Sequence, residues 1–171
     1  MTKVTQPLRD EHQAMHAKIA VIRRVADEVS DTPGPDVAAG VEEIYAFLSH
    51  ELGSHARAEE EVLYPMVATA LGSVNATATM IADHVRLSGL TAELGTLRTR
   101  LSSGNPLPPE DVTSLRRVLY GLHALVSVHL MKEEEVYLPI LDEYLNPDQA
   151  RAMYADMQRV EAEHSAHAAS S

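Results

Sequence analysis

Apolar residues recur every three or four positions along most of this chain, in four long stripes. The first runs Leu8, His12, Met15, Ile19, Ile22, Ala26, Val29. The second is Leu48, Leu52, His55, Glu59, Val62, Met66, and the third is Met80, His84, Leu87, Thr91, Leu94. The fourth is Leu122, Leu125, His129, Glu133, Val136, Ile140. That period belongs to amphipathic α-helices, and no segment alternates as a strand would. Breakers separate the stripes at 31–36, 71–75, 102–109 and Asn146-Pro147. Long helices are therefore expected over about 5–30, 36–70, 75–101 and 109–144. A short C-terminal helix is expected over about 148–164, with a disordered tail over 165–171. Asp36, Ser73 or Asn75, and Glu110 or Asp111 suit helix starts, and Pro109 suits a first turn. Pro65 and Pro139 fall inside the second and fourth helices and should kink or end each one nearby. The expected fold is all-α, an up-down-up-down four-helix bundle in a single domain spanning 1–171.

The second and fourth stripes repeat one another. His55-Ala-Arg-Ala-Glu59-Glu60-Glu61-Val62-Leu63-Tyr64-Pro65 matches His129-Leu-Met-Lys-Glu133-Glu134-Glu135-Val136-Tyr137-Leu138-Pro139 as H-x-x-x-E-E-E-V-x-x-P. The first and third share an acid before a histidine, Glu11-His12 and Asp83-His84. Two helix pairs, each supplying H…HxxxE, would bring two equivalent half-sites face to face.

Residues four apart on a helix lie about 40° apart around the axis and about 6 Å apart along it. His55 with Glu59, and His129 with Glu133, therefore project into the same space. A carboxylate among Leu and Val is costly unless a positive group compensates it. For two such carboxylates and four imidazoles, His12, His55, His84 and His129, a metal cluster is the simplest compensation. Nitrogen and carboxylate ligands suit iron, manganese or zinc. Two six-coordinate metals sharing four imidazoles, two bridging carboxylates and one bridging oxo or hydroxo group keep two positions open. His16, one turn beyond His12, would close one of them.

Composition narrows the choice. The 171 residues include no cysteine, which removes disulfides, thiolate zinc sites, iron–sulfur clusters and cysteine catalysis. A net charge of −11 disfavours nucleic acid, and the cluster Arg98, Arg100, Arg116, Arg117 is too small to reverse it. Residues Met1 to Asp10 contain no apolar run of a signal peptide, and no stretch is apolar enough to cross a membrane. A cytoplasmic protein, monomer or homodimer, is expected.

His12…His55-x-x-x-Glu59…His84…His129-x-x-x-Glu133 resembles the hemerythrin-like HHE family over roughly residues 5–144. The resemblance implies a carboxylate-bridged pair of iron ions in the bundle core, with manganese or zinc as weaker candidates. It also implies reactions with dioxygen, hydrogen peroxide or nitric oxide. Oxygen-carrying members have a second histidine on the third helix, where this chain has Met80 and Ser88 around His84. They also end in HxxxxD where this chain has His129-x-x-x-Glu133. A more open metal pair favours peroxide decomposition, or peroxide and nitric oxide turnover, over reversible oxygen binding or sensing. Related repair proteins carry a cysteine-containing N-terminal segment that this sequence lacks.

Other polar residues read more plainly. Glu60, Glu61, Glu134 and Glu135 form a solvated face beside Arg57 and Lys132, and His50 and His123 are surface or boundary residues. His164 and His167 belong to the polar tail. Glu51, one turn before His55, is a candidate outer acceptor for a ligand's second ring nitrogen. Tyr45, Tyr64, Tyr120 and Tyr137 read mainly as packing residues, with a proton or a hydrogen bond near the pocket as the alternative, and the methionines read mainly as core, with Met80 a candidate to line the pocket.

Overall fold

The computed structural model describes residues 3–103 and 105–168, and these contain helices and no strand. Helix α1 is Gln6–Glu28 and α2 spans 35–71. Helix α3 is Ala78–Leu101, α4 spans 109–144 and α5 is Pro147–Ala168. Pro35 and Pro109 open α2 and α4, where a missing N–H leaves nothing unsatisfied. Gly72, at φ 63°, closes α2 in the left-handed conformation. Ser73 and Asn75 do not cap α3, which starts at Ala78 behind Thr77. Asn146 caps α5, its Oδ1 accepting the N–H groups of Asp148 and Gln149 at 3.0 Å each.

Helix α1 packs on α2 and α4, and α3 packs on the same two, so the four long helices close into a ring. Gly40 lets α2 come close to α1, since a Cβ there would stand 2.5 Å from Val25 Cγ2. The fifth helix is a correction to the expected short 148–164 element. It has 22 residues and lies along the middle of α2, outside the ring. Its apolar face, Ala150, Met153, Met157 and Val160, is long enough to be buried as a stripe of its own. The expected tail is helical as far as Ala168, and residues 169–171 lie outside the described part.

Two apolar clusters fill the interior. One contains Ile22, Val41, Leu52, Leu87, Leu115 and Leu130, and the other Leu8, Leu63, Met80, Leu138, Met153 and Met157. Along α1 and α3 the chain passes from the second cluster to the first, and along α2 and α4 from the first to the second. At the crossing on each helix stands a buried polar residue: His12, His55 with Glu59, His84, and His129 with Glu133. The four arginines of the sequence cluster are engaged internally. Arg98 stacks on Tyr45, Arg100 and Arg117 pair with Asp111 and Glu93, and Arg116 caps the Val29 carbonyl. Among the described residues no helix is long and apolar enough to cross a membrane.

Candidate metal centre

The two copies of the repeated motif each contain a π turn, at Glu59–Leu63 and Glu133–Tyr137. Each ends just before its proline. Pro65 and Pro139 have no N–H, and in a regular helix their rings would press on the carbonyl four residues back. The chain instead widens by one residue. Tyr64 N–H donates to the Glu59 carbonyl and Leu138 N–H to the Glu133 carbonyl, five residues back in each case. The helices continue through both prolines, so the expected break is a local widening.

The extra residue also turns the stripe. Beyond Glu59 the buried residues are Leu63, Tyr64 and Val67, in place of the expected Val62 and Met66. Beyond Glu133 they are Tyr137, Leu138 and Leu141, and Val136 is 49% exposed. Pro139 has no N–H to offer the Glu134 carbonyl, and the Arg9 guanidinium donates to it at 3.0 Å.

All four histidines turn Nε2 inward, in two pairs. His12 and His55 approach to 3.2 Å, His84 and His129 to 3.0 Å. Both carboxylates span the two pairs. Glu59 Oε1 lies 3.0 Å from His55 and 3.9 Å from His12, and its Oε2 lies 3.3 Å from His84 and 3.9 Å from His129. Glu133 Oε2 lies 3.7 Å from His12, and its Oε1 lies 3.6 Å from His129. Two fully buried sets of atoms therefore stand at metal-binding spacing, His12–His55–Glu59 and Glu59–His84–His129, and a third, partly exposed set, Glu11–His55–Glu161, meets on the outer side of His55. Glu59 Oε1 and Glu133 Oε2, both buried, have no aligned hydrogen-bond donor. Buried acceptors without a donor are costly, and a cation between them would remove that cost. Four imidazoles and two carboxylates, with no thiolate, fit a pair of borderline divalent ions.

The halves are not equal. The Tyr64 hydroxyl enters the His84 half, where it donates to Glu133 Oε1 at 2.8 Å. It also lies 3.3 Å from His84 Nε2 and 3.4 Å from His129 Nε2. Its counterpart in the repeat is Leu138, so the His55 half has no such group. A cleft of about 590 Å³ between α2 and α3 reaches His84 past Leu48, Leu52, Ala56, Val85 and Glu60.

Outside this layer each histidine meets an acid at Nδ1. Glu60 is 2.8 Å from His84, Asp83 is 3.3 Å from His129, and Glu134 is 3.4 Å from His12. His55 meets Glu161 at 3.0 Å and Glu11 at 3.8 Å. Such partners fix the ring and its tautomer so that Nε2 is free to bind. Lys132 in turn pairs with Asp83. Burial, and then the approach of Glu59, push the Glu133 carboxyl well above the usual carboxylate range. For Glu59 burial works the same way, but His55, His12 and His129 outweigh it and hold the carboxyl well below that range. Burial opposes a charged His55, yet Glu59, Glu161 and Glu133 prevail and raise it well above the ordinary histidine value. Burial and the two glutamates push Tyr64 up, so its hydroxyl keeps its proton.

All six residues singled out for the metal, His12, His55, Glu59, His84, His129 and Glu133, meet in this one buried layer. His16 does not join them. It is 44% exposed and its Nε2 stands 3.7 Å from Glu134, on the far side from the centre. Glu51 is not an outer acceptor. It lies at the edge of the stripe in a further π turn, Phe47–Leu52, and pairs with Lys18 at 54% exposure. Glu60 and Glu134 were read as solvated and instead hold ligand-side rings, while Glu61 pairs with Arg57 at 2.5 Å as expected. His164 is helical and lines the mouth of the cleft, and the side chain of His167 lies outside the described part. Of the four tyrosines weighed for a hydrogen bond near the pocket, Tyr64 is the one whose hydroxyl enters the centre, and the proline six positions after each glutamate is the signal of the turn that brings it there.

The profile of the hemerythrin HHE cation-binding domain matches residues 4–141. Among curated proteins, the iron-sulfur cluster repair protein YtfE of Escherichia coli O1:K1 is 27% identical over 110 residues. That alignment covers 61% of this chain and 48% of the relative. YtfE of Escherichia fergusonii matches to the same extent. The chain thus spans about half the length of the curated relatives it matches. No solved structure matches. The family match takes in α1 to α3, most of α4 and every histidine and glutamate of the buried layer, and the chain belongs to the hemerythrin HHE cation-binding family.

Proposed function

We propose that this chain binds two iron ions in an up-down-up-down bundle and decomposes hydrogen peroxide in the manner of a catalase. The observation that carries the reading is that Glu59 and Glu133 each turn one oxygen to either histidine pair. His12 and His55 would hold one ion through Nε2, His84 and His129 the other, and the two carboxylates would bridge them. Bound iron would supply reversible electron transfer to and from peroxide. One peroxide is reduced to two waters while a second is oxidised to dioxygen, so no outside electron donor is needed. The cleft at His84 admits a small neutral molecule past mainly apolar side chains. Tyr64, its hydroxyl 3.3 Å from His84 Nε2, keeps its proton and offers an O–H donor beside the centre. The Nδ1 acceptors hold the rings still while charge at the centre changes. Nitric oxide and dioxygen are further small molecules that this site would accept, and the cytoplasm is its proposed place.

The test is purification without added metal, followed by iron per chain and the visible spectrum. Peroxide is then added while dioxygen is followed with an electrode. About two irons and sustained dioxygen release are expected, with both lost in His55→Ala and His129→Ala. A spectral change that reverses without turnover would replace this reading with oxygen binding or sensing. A stable iron-free protein would end the metal reading. The similarity to cluster repair proteins favours a second reading, in which the same residues hold iron on its way to a damaged cluster. Reactivation of a cluster-depleted dehydratase by the loaded protein would support it.

A further inference from the structure

Three of the four buried histidines face at Nδ1 an acid from the ring of long helices: His84 is hydrogen-bonded to Glu60 and His129 to Asp83, and Glu134 stands 3.4 Å from His12 without an aligned hydrogen bond. His55 differs. The acid nearest its Nδ1 is Glu161 of α5, at 3.0 Å, and Glu11 of α1 is farther, at 3.8 Å. Glu11 is itself held from α5, since the Tyr154 hydroxyl donates to its Oε1 at 2.6 Å. Both acids that face His55 from outside the centre thus depend on a helix lying beyond residues 4–141, the span of the family match.

The rest of α5 is built to keep Glu161 there. Ala150, Met153, Met157 and Val160 bury an apolar face against the second cluster, and Val160 is the neighbour of Glu161 in the chain. The helix lies along Gly53–Ala58 and Glu59–Leu63, the stretch of α2 that carries His55 and Glu59. Its other acids do not reach the centre. Glu163 and Asp156 pair with Arg159 at the surface.

We propose that α5 is a clamp on the His55 half of the metal centre, with Glu161 as the positioning residue that fixes the His55 ring for a cation at Nε2. The proposal rests on the metal reading above. An ionised acceptor at Nδ1 favours the tautomer with its proton on that nitrogen and leaves the Nε2 lone pair facing inward. Without it the ring is free to turn or to change tautomer, and the His55 half releases its ion first.

The experiment compares parent, Glu161→Gln, Glu161→Ala and Glu163→Gln, each loaded with iron, by the rate of iron transfer to an excess of chelator. Loss about tenfold faster is expected for Glu161→Ala, on the scale typical of outer partners of a metal-bound histidine. Glu161→Gln should fall between that and the parent, and Glu163→Gln should match the parent. Thermal stability of the metal-free proteins is measured alongside: some loss is expected in Glu161→Ala, because a buried ring nitrogen loses its acceptor, and a loss of stability without faster iron release would show a merely structural role and overturn the clamp. In zinc-loaded protein, nitrogen-15 NMR should show a protected Nδ1–H on His55 in the parent and lose that protection in Glu161→Ala. Equal rates of iron loss in Glu161→Ala and parent overturn the clamp while leaving the metal reading intact. A parent that takes up no iron overturns both.

Discussion

Among the ligand-side residues, a hydroxyl distinguishes the two halves of a centre whose histidines and glutamates come in pairs. Tyr64 donates to Glu133 Oε1, and the matching position in the repeat is Leu138. In the metal-free protein the Tyr64→Phe change leaves a buried carboxylate oxygen without its donor. A loss of about 1–3 kcal/mol is expected, read by urea denaturation of the metal-free form. Phenylalanine fills nearly the same space, so an unchanged stability would mean that the hydroxyl is not a working partner of Glu133. A second contact far from the centre sets a pH dependence. Asp142 accepts from Thr5 N–H and Oγ1 at 2.9 Å and pairs with Arg9 at 3.1 Å. Burial opposes its ionisation, but Thr5 and Arg9 prevail and lower it from the ordinary 3.8. A depressed carboxylate contributes stability that is complete above its unfolded value and is lost as pH falls through the folded one. Asp142→Asn should therefore be less stable than the parent by about 1–2 kcal/mol at pH 7. The difference should shrink once the pH drops below 3.8. A constant difference down to strongly acidic pH would remove ionisation of Asp142 from the explanation. The six metal-side residues were legible because HxxxE states a geometry that any α-helix obeys. Glu11, Glu60, Asp83, Glu134 and Glu161 were not, because each supports a histidine on another helix, and only packing decides which exposed-looking acid ends there.

At the scale of the helix, the prolines do the shaping. Pro65 is exposed, yet the turn before it decides which side of α2 faces the core. Replacing it with alanine restores an N–H that the Glu61 carbonyl can accept, and a regular helix becomes available. Regularising the turn would rotate Tyr64 away from the centre and bring Val62 and Met66 toward it. Pro65→Ala is expected to keep its helical circular dichroism while its iron-loaded visible spectrum changes. A spectrum identical to the parent would show that the π turn persists without the proline and has another cause. Apolar period and breakers are local signals, and they place all four long helices within a few residues. A single period carried through α2 and α4 loses the phase after each glutamate. A π turn costs one residue of register, and nothing in an apolar/polar pattern marks it except the proline that follows. The length of α5 was underread for a related reason. Its buried face is Ala150, Met153, Met157 and Val160, one strongly apolar residue in four, and it becomes a stripe only against the second cluster.

Across the whole molecule, a polar layer divides the core, with apolar clusters above and below that have no polar alternative to offer it. Glu59 is 1% exposed and Glu133 is fully buried, so water cannot relieve the two carboxylates. The protein therefore holds a layer that is costly by itself and favourable with cations, and this predicts a reversal in one variant. Glu133→Gln keeps the shape and an acceptor for the Tyr64 hydroxyl while it removes a buried carboxyl that burial and the facing Glu59 hold away from its charged form. Without metal the variant should be more stable than the parent, by roughly 1–2 kcal/mol, as when buried charges are replaced by neutral groups of similar volume. With iron or zinc the order should invert. The parent gains stability in proportion to the logarithm of free metal over its dissociation constant, about 4 kcal/mol at a thousandfold excess. The variant, missing one of its bridging carboxylates, gains much less. Melting curves of both proteins with and without metal give all four values. If Glu133→Gln is less stable than the parent in both conditions, Glu133 acts through packing or the Tyr64 contact alone. If the two proteins gain equally from metal, the cation is held elsewhere. Inversion on adding metal would mean that the buried layer exists for the ion it binds, at the expense of the empty fold.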